Sequence, residues 1–341
     1  MEGEKPMSRT DGARVGAMTT FILCFLAALI EGYDLQSAGV AAPKFAPAFG
    51  LAPADLGWVF SSNTLGLFFG AAIGGWLSDR FGRKRVLIVS LITFGLFSIG
   101  TALATEVAML LTMRFLTGLG LGGAFPNLIA MVAETGDERG RATRVTMIAA
   151  GMPIGGVLAN LFVLATPELD WGMVFHVGGV APILLGLVMI FALRESAGYL
   201  AAKTPEAAAA KTSTLAALLT EGRAVTTVML WISFFCTLVV LYLLLNWLPS
   251  LMVSRGFSRP DATLVALAFS LGGATGALVL GYLIGRGSRR LILTLTYVGM
   301  AGGLLALAMT PGLAGAAGAA LVAGFFVIGA QFVLYGFSPV Y

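Results

Sequence analysis

The sequence predicts an all-α membrane protein of about ten membrane-spanning helices, arranged as two related halves. The chain is 58% hydrophobic and only 11% charged, whereas soluble domains are roughly 45–50% apolar and about 25% charged. Its apolar runs are continuous over about 20 residues, the length that an α-helix needs to cross a bilayer. Strands of a membrane β-barrel would instead alternate apolar and polar residues. The third observation is that the two halves resemble each other at a fixed offset.

Ten apolar runs are long enough to be spans. They lie near residues 16–42, 56–77, 86–104, 107–132, 145–166, 173–193, 224–253, 262–284, 291–310 and 313–338. Six runs precede a polar segment and four follow it. We therefore predict an N-terminal six-helix bundle at 1–193, a central loop at 194–223 and a partial C-terminal bundle at 224–341.

The distribution of basic residues predicts the orientation. Counted loop by loop, 17 Lys and Arg residues lie on the side of the N-terminal tail and the central loop, against Lys44, Arg255 and Arg259 on the other. Because basic loops stay in the cytoplasm, we expect a multi-pass protein of the plasma membrane whose N-terminus is cytoplasmic. The net charge of +4 reflects this topology and gives no reason to expect nucleic acid as a partner.

The repeat has an offset of 206 residues and runs through the second and eighth spans. Six pairs of identical residues define it: Asp55 and Asp261, Gly66 and Gly272, Gly70 and Gly276, Gly75 and Gly281, Leu77 and Leu283, Arg80 and Arg286. The first half contains six spans, an even number, so the second half starts on the same side of the membrane as the first. The two halves therefore form a parallel repeat.

Three charged residues lie at membrane depth: Glu31, Asp34 and Arg114. Such residues cost roughly 2.5–3.5 kcal/mol at the bilayer centre and usually face a cavity or pair with one another. Counted from the span ends, Asp34 and Arg114 both lie roughly 10–12 Å below the outer surface, with Glu31 one turn deeper. We predict an ion pair with Arg114, and one carboxyl group that carries a proton, since two close carboxylates do not both ionise easily. A pair that only locks two helices together is the alternative.

The loop after the second span reads Gly75-Trp76-Leu77-Ser78-Asp79-Arg80-Phe81-Gly82-Arg83-Lys84-Arg85. Small residues at Gly74 and Gly75 are expected to allow close helix contact, and Asp79 to pair with a neighbouring arginine or cap a helix. The stretch resembles the signature of the major facilitator superfamily, which implies a fold of two six-helix halves. In that family the motif is a cytoplasmic latch, so the resemblance assigns gating to Gly75, Asp79, Arg80, Gly82, Arg83 and Arg139. A charge cluster that only sets topology is the alternative.

Within that superfamily, Glu31-Gly32-Tyr33-Asp34 resembles the D-G-x-D element of the aromatic acid:proton symporters, and Asn246-Trp247-Leu248-Pro249 is similar to their hydroxyphenylpropionate-type members. The resemblance implies a monomeric transporter in the lipid bilayer that imports a small aromatic carboxylate with a proton. It implies no cofactor beyond the proton gradient. Family members have twelve spans, so we expect two C-terminal helices to be missing.

An aromatic substrate needs a ring-lined cavity with a few polar groups. Candidates for substrate binding, besides Arg114, are Tyr33, Asn127, Asn246, Trp247 and Gln331; each is also an ordinary packing or interhelical residue. Cys24 and Cys236 are expected to be buried free thiols, and no metal site is predicted because the ligand types do not cluster. An enzyme is not indicated. A proton-coupled exporter of organic compounds, a non-transporting sensor and an inactive truncated product remain alternatives.

Overall fold

The computed structural model describes residues 9–135, 140–202, 224–284 and 286–337. The described residues form eleven helices and no strand. Their bounds are α1 Arg9–Ala48, α2 Pro53–Phe81, α3 Arg83–Ala102, α4 Val107–Ala133, α5 Arg141–Ala165, α6 Gly172–Ala192, α7 Ala197–Ala202, α8 Ala224–Ser254, α9 Arg259–Ile284, α10 Arg289–Met309 and α11 Leu313–Phe337. All except the six-residue α7 are long and apolar enough to cross a membrane, which confirms the all-helical class and the ten spans.

The helices extend beyond the apolar runs that predict them. The first run, 16–42, lies within a helix of 40 residues, and the second run, 56–77, within one of 29. Hydropathy detects only the part of a helix that lies in hydrocarbon, whereas the backbone stays helical until a cap or breaker ends it. Most of the predicted central loop lies outside the described residues. Its first part contains α7.

Within the first half, α1 packs against α5 and α6, α2 against α4, and α3 against α4 and α6. In the second half, α11 packs against α9 and α10, and α8 against α9 and α11. The halves meet where α5 packs on α9 and α1 on α8. Residues of α1 and α8 are therefore placed to face one another across the line between the halves.

The repeat is visible in the way that glycines allow helices to approach. Gly66 of α2 lies against the backbone of Phe115 in α4, and Gly272 of α9 lies against the backbone of Leu321 in α11. Gly272 lies 206 residues after Gly66, and Leu321 lies 206 residues after Phe115, so the whole contact is repeated at the same offset. A Cβ at either glycine would collide with the carbonyl opposite, so the repeated glycines maintain one helix crossing in both halves.

The two cysteines differ in their surroundings. Cys24 is buried in α1, as expected, whereas Cys236 is exposed on α8, so the prediction that both are buried is wrong for Cys236. The cause is that α8 is apolar on all sides. Its sequence has no polar face to show which residues point away from the protein. Within the described ranges, no group of His, Cys, Asp and Glu is arranged to hold a metal ion.

Candidate functional site

The centre of the candidate site is an ion pair enclosed in the first half. Arg114 Nη1 of α4 donates to Asp34 Oδ2 of α1 at 3.4 Å, and both side chains are almost completely buried. The second carboxyl oxygen, Asp34 Oδ1, lies 2.9 Å from the hydroxyl of Ser98 on α3. The ring of Phe175 on α6 lies 5.4 Å from the centre of the guanidinium group. Four helices therefore converge on one carboxylate and one cation, and the predicted pair of opposite charges is present.

The pair leaves part of Arg114 unused. A guanidinium group has five N–H donors, and Nε of Arg114 is buried without a hydrogen-bond partner among the described residues. An unpaired buried donor costs roughly 1–3 kcal/mol, and the 3.4 Å bond to Asp34 is long for a charged pair. Arg114 therefore has the capacity to bind a further acceptor, and the planar arrangement of its donors matches a carboxylate.

Glu31 lies one turn from Asp34 but has different neighbours. It is buried, and its Oε2 has no hydrogen-bond partner in the described part of the chain. Asp34 acts on it electrostatically, and Glu31 in turn acts on Tyr242 of α8, in the second half. Glu31 is thus a buried carboxyl group one helical turn from Asp34 on the same helix. An uncompensated buried carboxyl is most stable when it carries a proton.

Tyr33 and Trp247 both lie in aromatic contacts. Tyr33 packs against Phe162 of α5, with ring centroids 6.4 Å apart, and its hydroxyl has no described partner. Trp247 lies edge-on to Phe60 of α2 at 5.3 Å and so connects α8 to the first half, near the start of α2 and the end of α8. The two rings are therefore not neighbours in one cage around the ion pair.

The three amide side chains differ in how well they are satisfied. Asn127 donates to the carbonyl of Gly123, and Asn246 donates to the carbonyl of Tyr242, each at 2.8 Å within its own helix. Gln331 of α11 is buried with neither amide atom bonded to any described residue. Of the three, Gln331 has the strongest requirement for an external polar partner.

A second cluster of charges lies where α3 begins and where α4 and α6 end, on the side that the basic residues predict to be cytoplasmic. Arg83, at the start of α3, forms an ion pair with Glu134 at the end of α4 and donates to Ser196 at 3.2 Å. Glu195 accepts a bond from the backbone N–H of Lys84 at 2.9 Å. These contacts join the α2–α3 loop to the ends of α4 and α6. We call the residues Arg83, Glu134, Glu195 and Ser196 the cytoplasmic network.

Gly82 connects the signature motif to this network. Its φ angle is 101°, which residues with a Cβ rarely adopt, and a Cβ at this position would collide with the carboxylate of Glu195. Two independent constraints therefore require glycine at this position.

Two expectations about the motif are wrong in detail. Gly74 makes the close helix contact, against Gly123 of α4, whereas nothing described lies within 4 Å of a Cβ at Gly75. The arginine that forms an ion pair does so with Glu134 and not with Asp79, which is exposed. Position in the motif did not reveal which glycine faces the neighbouring helix. Arg80 lies over the rings of Trp76 and Phe81; Arg139 lies outside the described residues.

A polar network between the halves is a feature that the sequence analysis did not predict. Asn160 of α5 donates to Gln36 of α1 at 2.9 Å, and Ser270 of α9 donates to the same oxygen at 3.0 Å. All three side chains are buried. Ser98 and Glu134 were also missed, because a single Ser in a span or an acid at a helix end is a common feature. The 206-residue repeat would not have revealed them either, since none of these contacts recurs at that offset.

Comparisons with known proteins agree with this architecture. The sequence profile of the Major Facilitator Superfamily matches residues 24–341. The 3-(3-hydroxy-phenyl)propionate transporter of Escherichia coli K12 is 44% identical over 324 residues, which are 95% of this chain and 79% of that protein. The 4-hydroxybenzoate transporter PcaK of Pseudomonas aeruginosa is 34% identical over 306 residues, covering 81% of this chain and 68% of that protein. A partially occluded inward-open structure of the E. coli xylose transporter XylE matches with a TM-score of 0.76 at 18% identity, over 94% of this chain and 86% of that one.

Proposed function

The chain belongs to the Major Facilitator Superfamily, and from this premise we propose that it imports a small aromatic carboxylate together with a proton. A hydroxyphenylpropionate or a hydroxybenzoate is the expected substrate, because relatives that share at least 34% identity bear those names. The protein acts as a monomer in the plasma membrane, with its N-terminus and central loop in the cytoplasm. Its energy source is the proton gradient, and it needs no cofactor.

The observation that carries the proposal is the incomplete bonding of the buried ion pair. Arg114 is held by Asp34 through one long bond and has an unused Nε donor. A substrate carboxylate that approaches Arg114 offers two oxygens to the guanidinium and competes with Asp34 for it. Once Asp34 has lost its cation it is a buried, unpaired carboxylate, and it is stabilised by taking up a proton. Binding of the anion and binding of the proton then favour each other.

Glu31 provides the second proton site of the mechanism. It lies one helical turn from Asp34 on the same helix, and its buried Oε2 has no hydrogen-bond partner among the described residues. Repulsion between the two carboxyl groups makes it unfavourable for both to be ionised when Arg114 is engaged by substrate.

Recognition of the ring is assigned to residues at the line between the halves. Gln331 offers both a donor and an acceptor without a partner, which fits a phenolic hydroxyl. Asn246 and Asn127 each keep an amide oxygen for a second contact. Tyr33 and Trp247 are assigned separate apolar contacts with the substrate, Tyr33 from its position beside Phe162 of α5 and Trp247 from its position beside Phe60 of α2.

Gating is assigned to the signature motif and the cytoplasmic network, in which Gly75, Asp79, Arg80, Gly82, Arg83 and Arg139 are the motif-derived members. The Arg83–Glu134 pair and the Glu195 bond to Lys84 tie three cytoplasmic helix ends together. These contacts lie at the membrane surface, whereas Arg114 is buried at depth, so changes in the network are expected to alter opening and not substrate affinity.

The test is uptake of labelled 3-(3-hydroxyphenyl)propionate into proteoliposomes, with and without an inward acid gradient. We expect accumulation that needs the gradient and that a protonophore abolishes. The carboxamide analogue should compete poorly for wild-type protein, because it offers Arg114 no charge. Efflux driven by the gradient would indicate an exporter, and silence of a well-folded protein would indicate a sensor or an inactive product.

Arg114 variants identify the site when binding of the acid and binding of its carboxamide are measured side by side in folded protein. Arg114→Ala should lose preference for the carboxylate over the amide, and Arg114→Lys should restore it poorly, since lysine lacks the planar fork. Arg259→Ala is the matched control, because Arg259 is exposed at the start of α9. If Arg259→Ala lost the preference as well, the effect would be one of overall charge and the assignment of Arg114 would be wrong.

A further inference from the structure

We propose that Ser98 holds Asp34 in both of its protonation states, by reversing the hydrogen bond between them when the carboxyl gains or loses its proton. The inference rests on the proposed function, in which Asp34 carries a proton. It adds a positioning residue on α3, a helix that contributes no residue to the predicted substrate and proton sites.

The geometry around Ser98 has one donor and two acceptors. The hydroxyl oxygen lies 2.9 Å from Asp34 Oδ1 and 3.1 Å from the carbonyl oxygen of Phe175 on α6. The side chain is completely buried. A serine hydroxyl has a single proton and can accept as well as donate, so it can donate to only one of these two oxygens at a time.

Each protonation state of Asp34 uses one of the two arrangements. When Asp34 is ionised, the Ser98 hydroxyl donates to Oδ1, and Arg114 donates to Oδ2 at 3.4 Å. When Oδ1 carries a proton, that O–H donates to Ser98 Oγ, and the Ser98 hydroxyl turns about its Cβ–Oγ bond to donate to the Phe175 carbonyl. No covalent bond of Ser98 breaks, and the carboxyl proton stays on Asp34. Asp34 Oδ1 and the Ser98 hydroxyl therefore keep a partner in both states.

The other groups around Asp34 do not perform this task. Arg114 from α4 donates only, so it stabilises the ionised form and cannot accept from the protonated one. On α1 itself, Glu31 Oε2 and the Tyr33 hydroxyl have no hydrogen-bond partner among the described residues, so neither of them bonds Asp34. Tyr242 of α8 is subject to the charge of Glu31 and makes no interaction with Asp34 in the described part of the chain. From α6, the nearest side-chain position is Gly178, where a Cβ would lie 3.5 Å from Oδ1. Among the described residues, Ser98 is thus the neighbour that can both donate to Oδ1 and accept from it.

The consequence for transport is that Asp34 keeps its position after it releases Arg114. A neutral Asp34 without Ser98 would have no bond to hold it while substrate occupies Arg114. With Ser98 in place, the carboxyl stays within reach of the guanidinium and re-forms the pair when substrate and proton leave.

The experiment compares Ser98→Ala, Ser98→Thr and Ser90→Ala. Ser98→Ala removes the hydroxyl with little change in volume, Ser98→Thr keeps it, and Ser90→Ala is the matched control on the same helix, roughly 12 Å away along its axis. The infrared C=O stretch of protonated Asp34 is assigned by its loss in Asp34→Asn and followed with pH. We expect this band to move to higher frequency in Ser98→Ala, because the carboxyl O–H loses its acceptor, and to be unchanged in Ser90→Ala.

Uptake provides the second measurement. A bond to a charged acceptor is worth more than one to a neutral group, so loss of Ser98 weakens the ionised form more, and the pH midpoint of uptake should rise by about one unit. Ser98→Thr should restore both the band and the midpoint. The proposal is overturned if the band is absent at every pH, if it is unchanged in Ser98→Ala, or if Ser90→Ala shifts it equally. Absence of uptake by wild-type protein would instead defeat the proposed function, and the infrared band would still test Ser98.

Discussion

Replacing Arg114 with methionine should destabilise the protein strongly and abolish uptake. Methionine fills much of the space of the arginine without its charge. Asp34 then keeps only Ser98 as a bonding partner, at a position with no exposure. Removal of one member of a buried ion pair costs roughly 3–5 kcal/mol, because the remaining charge is left uncompensated. Nothing else among the described residues near Asp34 is cationic.

Asp34→Asn is the second single variant, and together with Arg114→Met it completes a double-mutant cycle. Replacement of a whole buried pair by neutral groups of similar volume is often close to neutral in free energy. The double variant Asp34→Asn, Arg114→Met should therefore recover most of the 3–5 kcal/mol, and the coupling energy between the two sites should account for the recovery. Uptake should stay absent in the double variant, because both the anion site and the proton site are gone.

The measurements are thermal unfolding of purified protein in nanodiscs and binding of the aromatic acid and its amide. Asp34→Asn alone mimics the protonated state, so it should keep binding of the acid and lose accumulation driven by the gradient. Glu31→Gln is measured in the same way. At least one of the two variants must keep binding of the acid while it loses accumulation driven by the gradient. The pH dependence of acid binding should be flatter in the variant that shows it.

A charge exchange tests whether the pair does more than hold two helices together. In Asp34→Arg, Arg114→Asp the ion pair is restored, but the anion site and the proton site have moved to the wrong helices. We expect recovered stability without recovered uptake. Uptake driven by the proton gradient in this double variant would refute the mechanism, because it would show that only the attraction between the helices matters.

Three further changes test gating and orientation. Asp79→Asn should reduce uptake severalfold with substrate affinity kept, measured by transport and binding side by side; loss of binding in folded protein would contradict a gating role. Gly82→Ala should cost about 1–3 kcal/mol of folding free energy, because φ is 101° there, with Gly75→Ala as a control that meets open space. Single cysteines at the exposed residues Leu200 and Ala48, in a chain whose own two cysteines are replaced, should label from opposite sides of the membrane. Labelling from one side would overturn the orientation.

The fold was predictable because the bilayer restricts it. Each span must hide its backbone polar groups, so a run of about 20 apolar residues has few structures other than a helix. The repeat was predictable from glycines because close crossings tolerate no side chain, and Gly66 and Gly272 do lie at equivalent crossings. Helix ends were less predictable, since α1 continues past Ala42 to Ala48 through two prolines. Apolar content says nothing about where such a helix ends.

The charged centre of the site was predictable for the same reason. A carboxylate and a guanidinium group at equal depth in the membrane are stabilised by forming an ion pair, and Asp34 and Arg114 form one. Their uncharged partners were not predictable. The sequence does not distinguish a serine that bonds a side chain on another helix, such as Ser98, from a serine that bonds a carbonyl of its own helix. The ion pair of Glu134 with Arg83 was not predicted, because it depends on how close the end of α4 lies to the start of α3. Residue spacing within one helix does not determine that distance.

The described parts of the two halves differ in the polar groups that they bury, and this difference suggests how substrate binding is coupled to closure of the halves. The described charges buried within spans lie on α1 and α4, whereas α8 and α11 carry buried neutral polar groups, Asn246 and Gln331. We infer that the first half binds the carboxylate and the proton, and that the second half supplies Asn246, Trp247 and Gln331 for contacts with the ring and its hydroxyl. A substrate with both features must span the line between the halves and contact each of them. Its binding then favours the state in which the halves are close, whereas an anion without the ring satisfies only Arg114 and leaves Gln331 unpaired. On this argument the hydroxyl contributes to closure as well as to selectivity, since only a substrate that reaches Gln331 links the two halves.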